Sequence, residues 1–360
     1  MQEEYYMELA LSLAKGAAYQ TSPNPPVGAV VVKDGRVIGM GAHLKAGEAH
    51  AEVTALAQAG ADAEGADIYV TLEPCAHFGK TPPCADLVIE KGIRRVFIAA
   101  VDPNPLVGGK GIEKIRAAGI EVTTGICEKE AIALLTPFFH FIQTKRPYVT
   151  IKTAVTADGK TAAHTGHSRW ITSDAAREDV HLLRSQNDAI LTGIGTVLLD
   201  NPLLTSRLPR GGKNPIRVLL DTHLRVPVDF HIIQNKEAKT IIFCAIDAQT
   251  KKQRALEDEG VTVIRLPHMS VDTVLNELGK MGIMTLLVEA GAEINASFLD
   301  AGTFNKLIMY MAPKLIGGKS APSSFGGLGG SVMDEALAID FTSVEMIGPD
   351  LKIVAERRGF

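Results

Sequence analysis

Gly47-Glu-Ala-His-Ala-Glu52, Tyr69-Val-Thr-Leu-Glu-Pro-Cys75 and Gly79-Lys-Thr-Pro-Pro-Cys84 are the stretches on which the reading of this chain turns. The middle one opens on aromatic and β-branched residues and stops at Pro74, a strand with its exit turn. Apolar residues at helical spacing follow the other two, which predicts helices over His50–Gln58 and Cys84–Lys91. The same alternation extends outward. A helix is expected at Tyr5–Lys15, then a strand at Val27–Val32 that the Asp34-Gly35 pair turns back into a hairpin. Strands follow at Asp67–Thr71, Arg95–Val101 and Ile120–Thr124, with a helix at Gly111–Ala118. Past Thr144-Lys-Arg-Pro147 a new pattern starts with strand Tyr148–Val155 and helix Asp174–Gln186. Strands Ala189–Thr192, Ile216–Asp221, Thr240–Ala245 and Val261–Leu266 come next, then helix Val271–Lys280, strand Met284–Glu289 and helix Ala292–Asp300. Strands Lys306–Met311, Thr342–Ile347 and Leu351–Ala355 close the chain, and the six glycines of 316–330 read as a long loop. The expectation is two α/β domains, 1–145 and 146–360.

Composition excludes several classes. With 46% hydrophobic and 22% charged residues in 360, the chain can build a core in each half. Thirteen Lys+Arg stand against seventeen Asp+Glu up to Lys145, and twenty-four of each beyond it, so no basic stripe marks a nucleic-acid binder. Four cysteines do not make a disulfide framework. Residues 1–16 lack the basic and apolar regions of a signal peptide, and no apolar run approaches the ~18 residues of a membrane span. The reading is a cytoplasmic protein with no membrane partner.

One imidazole (His50) and two thiolates (Cys75, Cys84) leave a fourth position open on a tetrahedral zinc ion, the layout of a catalytic site. Such an ion lowers the pKa of water from 15.7 toward ~7, and Glu52 beside it is suited to carry protons from that water to a leaving amine. Cys84 at a helix start gains from the dipole there. Buried free cysteines and a surface histidine are the plainer reading, but it does not explain the ordered set. A purely structural zinc leaves Glu52 and the open position unexplained. The pattern matches the H-x-E…P-C-x-x-C signature of zinc nucleobase deaminases, except that eight residues separate the cysteines instead of two.

With that insert, the chain resembles the bifunctional riboflavin-biosynthesis deaminase-reductases. Asn24-Pro25, Val27-Gly-Ala-Val30 and Asp102-Pro-Asn-Pro105 add to the match. In the second half so do Thr156-Ala-Asp-Gly-Lys160, Ser168-Arg-Trp-Ile-Thr172, Gly193-Ile-Gly-Thr196, Asp200-Asn-Pro-Leu-Leu-Thr205, Val288-Glu-Ala-Gly291 and Ala312-Pro-Lys-Leu-Ile-Gly-Gly318. The resemblance implies an N-terminal cytidine-deaminase-like three-layer α/β domain followed by a dihydrofolate-reductase-like α/β domain. It implies deamination of 2,5-diamino-6-hydroxy-4-(5-phosphoribosylamino)pyrimidine, then NADPH reduction of the ribosyl group of the product to ribityl. One zinc per chain on His50, Cys75 and Cys84, with Glu52 as proton carrier, goes with it.

Other residues carry two readings each. Asn24 fixes ribose or pyrimidine, or makes an Asx-turn. His43, His77 and Lys80 meet the substrate or are solvated surface groups. Asp102 and Asn104, at the carboxyl end of a strand, contact substrate or form a turn. Arg184 and Arg207 are fork donors suited to phosphate, the plainer reading of Arg184 being an exposed helix charge. Lys152, Asp200 and Glu289 are the candidates at the hydride-transfer centre, with Glu289 also a substrate contact. Trp170 packs on the cofactor or is a core aromatic. By resemblance Ala154, Thr196 and Asp200 match cofactor contacts, and Ser168, Leu204 and Arg207 substrate contacts.

No G-x-G-x-x-G opens a helix, so a Rossmann site is not supported. Instead Gly291, Ala292, Glu293, Ile294, Asn295, Ala296 and Ser297 start a helix whose free N–H groups suit a pyrophosphate. Where the family usually has Glu-Gly-Gly, this chain has Glu289-Ala290-Gly291, and a positive φ at 290 would strain alanine. The alternative to the two-step enzyme is a deaminase whose second domain is a non-catalytic binding or oligomerisation module. A zinc-stabilised nucleic-acid binder lacks its basic stripe, and a general pyrimidine or tRNA deaminase does not have the long insert. The base rate for small-molecule enzymes predicts a homo-oligomer.

Overall fold

In the computed structural model, residues 2–76, 82–104, 108–209 and 211–358 are described. The chain divides into one unit up to Lys145 and a second from Arg146. The first contains α1 (Gln2–Ala17), β1 (Gly28–Lys33), β2 (Arg36–Ala42), α2 (Ala51–Ala59), β3 (Asp67–Leu72), α3 (Cys84–Glu90), β4 (Arg95–Ala100), α4 (Lys110–Ala117), β5 (Glu121–Thr124) and α5 (Glu128–Thr144). Its sheet runs β2-β1-β3-β4-β5. The hairpin is antiparallel and also pairs antiparallel with β3, while β3, β4 and β5 are parallel. The carboxyl ends of β3 and β4 therefore open at one edge, where Cys75 and Asp102 follow them.

Three glycines set how closely helices lie on this sheet. A Cβ at Gly28 would stand 2.0 Å from the Ala10 carbonyl oxygen of α1. At Gly39 and Gly41 of β2 it would stand 2.1 and 2.2 Å from the Ala55 and Ala51 oxygens of α2. Helix α2 thus rests on bare backbone, which fixes the position of its cap His50 and its first-turn Glu52.

Helix α5 has no counterpart in the sequence expectation, because Pro137 interrupts the pattern, removing an N–H and crowding the preceding turn. Ala131, Leu135 and Phe138 at i, i+4 and i+7 are buried, and that apolar stripe offsets the cost.

The second unit contains β6 (Tyr148–Thr156), α6 (Asp174–Ser185), β7 (Ala189–Gly193), α7 (Ile194–Asp200), β8 (Ile216–Leu220), α8 (His231–Gln234), β9 (Thr240–Ala245), α9 (Thr250–Asp258), β10 (Thr262–Leu266), α10 (Val271–Lys280), β11 (Thr285–Val288), α11 (Ala292–Asp300), β12 (Lys306–Ala312), β13 (Ile339–Ile347) and β14 (Asp350–Arg357). The nine strands are ordered β10-β9-β8-β7-β11-β6-β12-β14-β13, parallel from β10 to β12, with β14 antiparallel to β12 and β13 antiparallel to β14. The chain leaves β6, builds outward from β7 to β10, and returns to insert β11 between β7 and β6. Such a reversal of strand order leaves a crevice at the carboxyl ends of the strands. Buried Val149, Ile151, Leu286, Val288 and Phe298 pack one core cluster of this sheet. Helices α7, α8 and α9 were not expected. α7 and α8 have seven and four residues, and α9 (Thr-Lys-Lys-Gln-Arg-Ala-Leu-Glu-Asp) buries only Leu256, so neither length nor an apolar stripe marks them.

Replacing Gly39 or Gly41 by Ala forces α2 off β2, and each substitution is expected to cost about 1–3 kcal/mol. Gly16→Ala, where a Cβ meets nothing within 4 Å, is expected to be neutral or stabilising. Thermal unfolding of the three variants checks the contrast.

Candidate active sites

In the first unit the cap of α2, the exit of β3 and the first residue of α3 bring three ligand atoms together. His50 Nδ1 lies 3.2 Å from Cys84 Sγ and 3.7 Å from Cys75 Sγ. Tetrahedral zinc with Zn–N and Zn–S bonds of the usual length separates N and S ligands by about 3.5 Å, so the set fits the ion. Among the described residues no other His/Cys/Asp/Glu group of three converges in this way. The hydrogen bond between the sulfurs lowers the Cys75 thiol and raises that of Cys84, the reverse of the order expected from the helix start at Cys84. Glu52 is buried, and burial raises its carboxyl pKa, the direction a proton carrier needs.

A cavity of roughly 610 Å³ opens on this cluster. Asn24, His43, Asp102 and Asn104 line it together with His50, Glu52 and Cys75. His43 Nδ1 donates to the Ala49 carbonyl at 3.0 Å, so its Nε2 accepts from the Asn24 amide at 3.0 Å. Burial lowers the His43 pKa, which keeps that neutral form. The Asp102 carboxylate accepts from Asn104 N at 2.8 Å, so the expected turn and a cavity position coexist there. His77 and Lys80 lie outside the described residues.

Glu73, inside the middle motif, holds a structural role that the sequence reading does not assign to it. Its buried carboxylate accepts from four backbone N–H groups: Gly109 at 2.9 Å and Asp102 at 3.4 Å on one oxygen, Gly111 at 2.9 Å and Ile112 at 3.3 Å on the other. It ties the segment after β4 and the start of α4 to the zinc-ligand strand. Phe138 and Ile142 of α5 also line the cavity, and were missed with their helix.

In the second unit a cavity of roughly 1130 Å³ lies at the carboxyl ends of β6, β7 and β11. Lys152, Ala154, Ser168, Thr196, Asp200, Glu289, Gly291, Ala292, Glu293, Ile294, Asn295 and Ser297 line it. Glu289 is clamped by Arg184, Nε to Oε1 at 2.8 Å and Nη2 to Oε2 at 2.9 Å, with Lys152 Nζ 3.8 Å from Oε2. Burial alone would raise the Glu289 carboxyl, but Arg184 and Lys152 outweigh it and hold it at about 2. Burial and Arg184 lower the Lys152 pKa while Glu289 works to raise it. Asp200, at the end of α7, faces Arg169, 3.7 Å from its guanidinium.

Leu204 is buried with φ of 53°, and the next carbonyl, Thr205, accepts from Arg184 Nη1 at 3.2 Å. Arg207 lies within the electrostatic reach of Arg184 and Glu289 without lining the cavity. His181, one turn before Arg184 on α6, was not singled out; burial, Arg184 and Arg207 lower it to about 4. Trp170 is 63% exposed beneath the Arg177 guanidinium, 4.3 Å from the ring centroid, so it is neither a core aromatic nor a lining residue. Ala296 is buried and does not line the cavity, because it faces inward from α11. The strain expected at position 290 does not occur. Ala290 is absent from the non-glycine residues with positive φ, and Gly291 has φ of −74°. Both take backbone conformations open to any residue. The N-terminus of α11 has no side-chain cap, so its first N–H groups remain for an anionic ligand.

Comparison with known proteins finds relatives of both units. Residues 147–353 match the RibD C-terminal domain, and residues 1–100 the cytidine and deoxycytidylate deaminase zinc-binding region. The riboflavin biosynthesis protein RibD of Bacillus amyloliquefaciens is 51% identical, over 98% of this chain and 96% of its own. That of Aquifex aeolicus is 46% identical, over 99% and 98%. The solved structure of Acinetobacter baumannii RibD is 40% identical, covers 99% of each chain and superposes with a TM-score of 0.90. A Thermotoga maritima structure described as a diaminohydroxyphosphoribosylaminopyrimidine deaminase/5-amino-6-(5-phosphoribosylamino)uracil reductase is 38% identical, with 99% of each chain covered and a TM-score of 0.88. With an N-terminal cytidine-deaminase-like unit, a dihydrofolate-reductase-like second unit and relatives matched along nearly their full length, the chain belongs to the RibD family of riboflavin-biosynthesis proteins.

Proposed function

We propose that residues 1–145 deaminate 2,5-diamino-6-hydroxy-4-(5-phosphoribosylamino)pyrimidine and residues 146–360 reduce the ribosyl group of the resulting 5-amino-6-(5-phosphoribosylamino)uracil. The convergence of His50, Cys75 and Cys84 beside a buried Glu52 carries the first half of the reading. His50, Cys75 and Cys84 would hold zinc, which would supply Lewis acidity toward water. Glu52 takes the proton from the attacking water and delivers it to the leaving amine, its raised pKa suiting both transfers. Asn24, set by His43, and the Asp102–Asn104 turn, set by Glu73, orient the pyrimidine.

The first N–H groups of α11 with Thr196 and Ala154 would hold NADPH, whose chemistry there would be hydride donation. Arg184 and Arg207 take the substrate phosphate. Glu289 has no proton to give at neutral pH, being held at about 2, so of the two buried groups Lys152 is the proton source as the ribosyl carbonyl is reduced. Asp200 orients the opened sugar. The reading of the second unit as a non-catalytic module is not favoured, because Lys152, Asp200 and Glu289 line one cavity.

We place the protein in the cytoplasm, without nucleic-acid or membrane partners; no helix among the described residues is long and apolar enough to cross a membrane. We infer a homo-oligomer, supported by β13, an edge strand that exposes Phe341, Val344 and Met346. Light scattering of Phe341→Lys is expected to give a smaller species than the wild type. An unchanged mass would remove this face from the argument.

Mass spectrometry of the diaminopyrimidine substrate with zinc-loaded protein tests the two steps. One amino group is expected to become oxygen without NADPH, and two hydrogens to be gained only with it. Glu52→Gln is expected to lower deamination about 10²–10⁴-fold. It should leave zinc content and reduction of the uracil intermediate intact. Zinc-bound protein with neither conversion would overturn the substrate assignment. For the cofactor loop, titration of Ala290→Gly is expected to leave the NADPH Kd within about twofold, because no strain is there to relieve.

A further inference from the structure

Lys152 lies on an inner strand with a neighbour on each side. Toward β11 is Glu289, at 3.8 Å an ion pair longer than a hydrogen bond. Toward β12 is Tyr310, whose ring centroid is 5.8 Å from Lys152 Nζ, within cation–π range. Tyr310 is fully buried, and its register partner on β6 is Ala154, two residues beyond Lys152 and so on the same face of the sheet.

The ring is held in place from behind. Its hydroxyl donates to Asp179 of α6. Asp179 also accepts from Lys352 Nζ at 2.8 Å, and Lys352 is the register partner of Tyr310 on β14. Lys352 in turn faces Glu345 of β13 at 3.6 Å. The same helix carries Arg184, which clamps Glu289. Helix α6 is therefore tied to the sheet on both sides of Lys152.

We propose that Tyr310, locked by Asp179 and Lys352, is a positioning residue of the reductase centre, its ring face fixing the Lys152 ammonium opposite Glu289 and favouring the charged form. The inference rests on Lys152 being the proton source. A neutral amine gains little from the ring quadrupole, whereas an ammonium does. Burial and the Arg184 charge oppose that ammonium, and Glu289 supports it. The other titratable groups nearby, Asp179 and the neutral His181 of α6 and Lys352 of β14, stand around Tyr310 and Glu289. The ring adds to the side of Glu289 without adding a second negative charge.

The test replaces Tyr310 in the full-length chain with Phe and then with phenylalanines of increasing ring fluorination, which keep the shape while weakening the quadrupole. From Phe to the most fluorinated ring, the alkaline limb of the reductase kcat profile is expected to move down by about 0.5–1 pH unit. kcat should fall while the KM for NADPH holds, and deaminase activity of the same samples should stay at the wild-type level. A limb that does not move along the series overturns the proposal, since a merely structural ring would behave that way. Lys152→Met separates the two readings: it is expected to abolish reduction, and if it does not, Lys152 is not the proton source and the role of Tyr310 falls with it.

Discussion

A carboxylate taken out of water must be paired, and both units of this chain are organised around one that is. Each follows a parallel strand at its carboxyl end, Glu73 after β3 and Glu289 after β11. The two are satisfied differently. Glu73 takes four backbone N–H groups, which converts one side chain into the shape of the surrounding loops. Glu289 takes a guanidinium and an ammonium, which concentrates charge in the cavity. The first solution makes a scaffold for the zinc-ligand strand, and the second makes a reactive centre.

Backbone closeness complements this pairing. The glycines of β1 and β2 bring α1 and α2 onto the sheet with no side chain between, so His50 and Glu52 are placed by main-chain packing and not by flexible contacts. Groups that must act within fractions of an ångström belong on such rigid elements. In the second unit the late insertion of β11 plays the corresponding part, since it sets Glu289 beside Lys152 on the adjacent strand.

What could be read from the amino-acid sequence followed from what leaves a local trace. The alternation of strands and helices, the zinc ligands and Glu52 all sit in short motifs with diagnostic spacing. Lys152 and Glu289 drew notice because charges are unusual in or beside apolar strands. Helix α5 did not, because Pro137 hides a stripe that only tertiary burial rewards. Glu73 and Tyr310 act through partners roughly thirty to a hundred and thirty residues away, and no window of sequence contains both ends of such a contact. Trp170 and Ala296 went the other way: one stands in a matching motif and the other in the helix start read as a pyrophosphate site, yet neither lines the cavity. Ala290 shows a third case, in which a departure from the family pattern meets an ordinary backbone.

The Asn24–His43 contact has a consequence for molecular recognition. An amide offers a donor end and an acceptor end, and in isolation it can rotate to suit either kind of visitor. Here the Ala49 carbonyl dictates the imidazole tautomer, and the imidazole nitrogen then claims an N–H of Asn24. The amide has lost its freedom to turn over. Whatever meets its oxygen must bring a hydrogen, so a chain of two neutral side chains gives this end of the cavity a handedness in polarity without spending a charge on it.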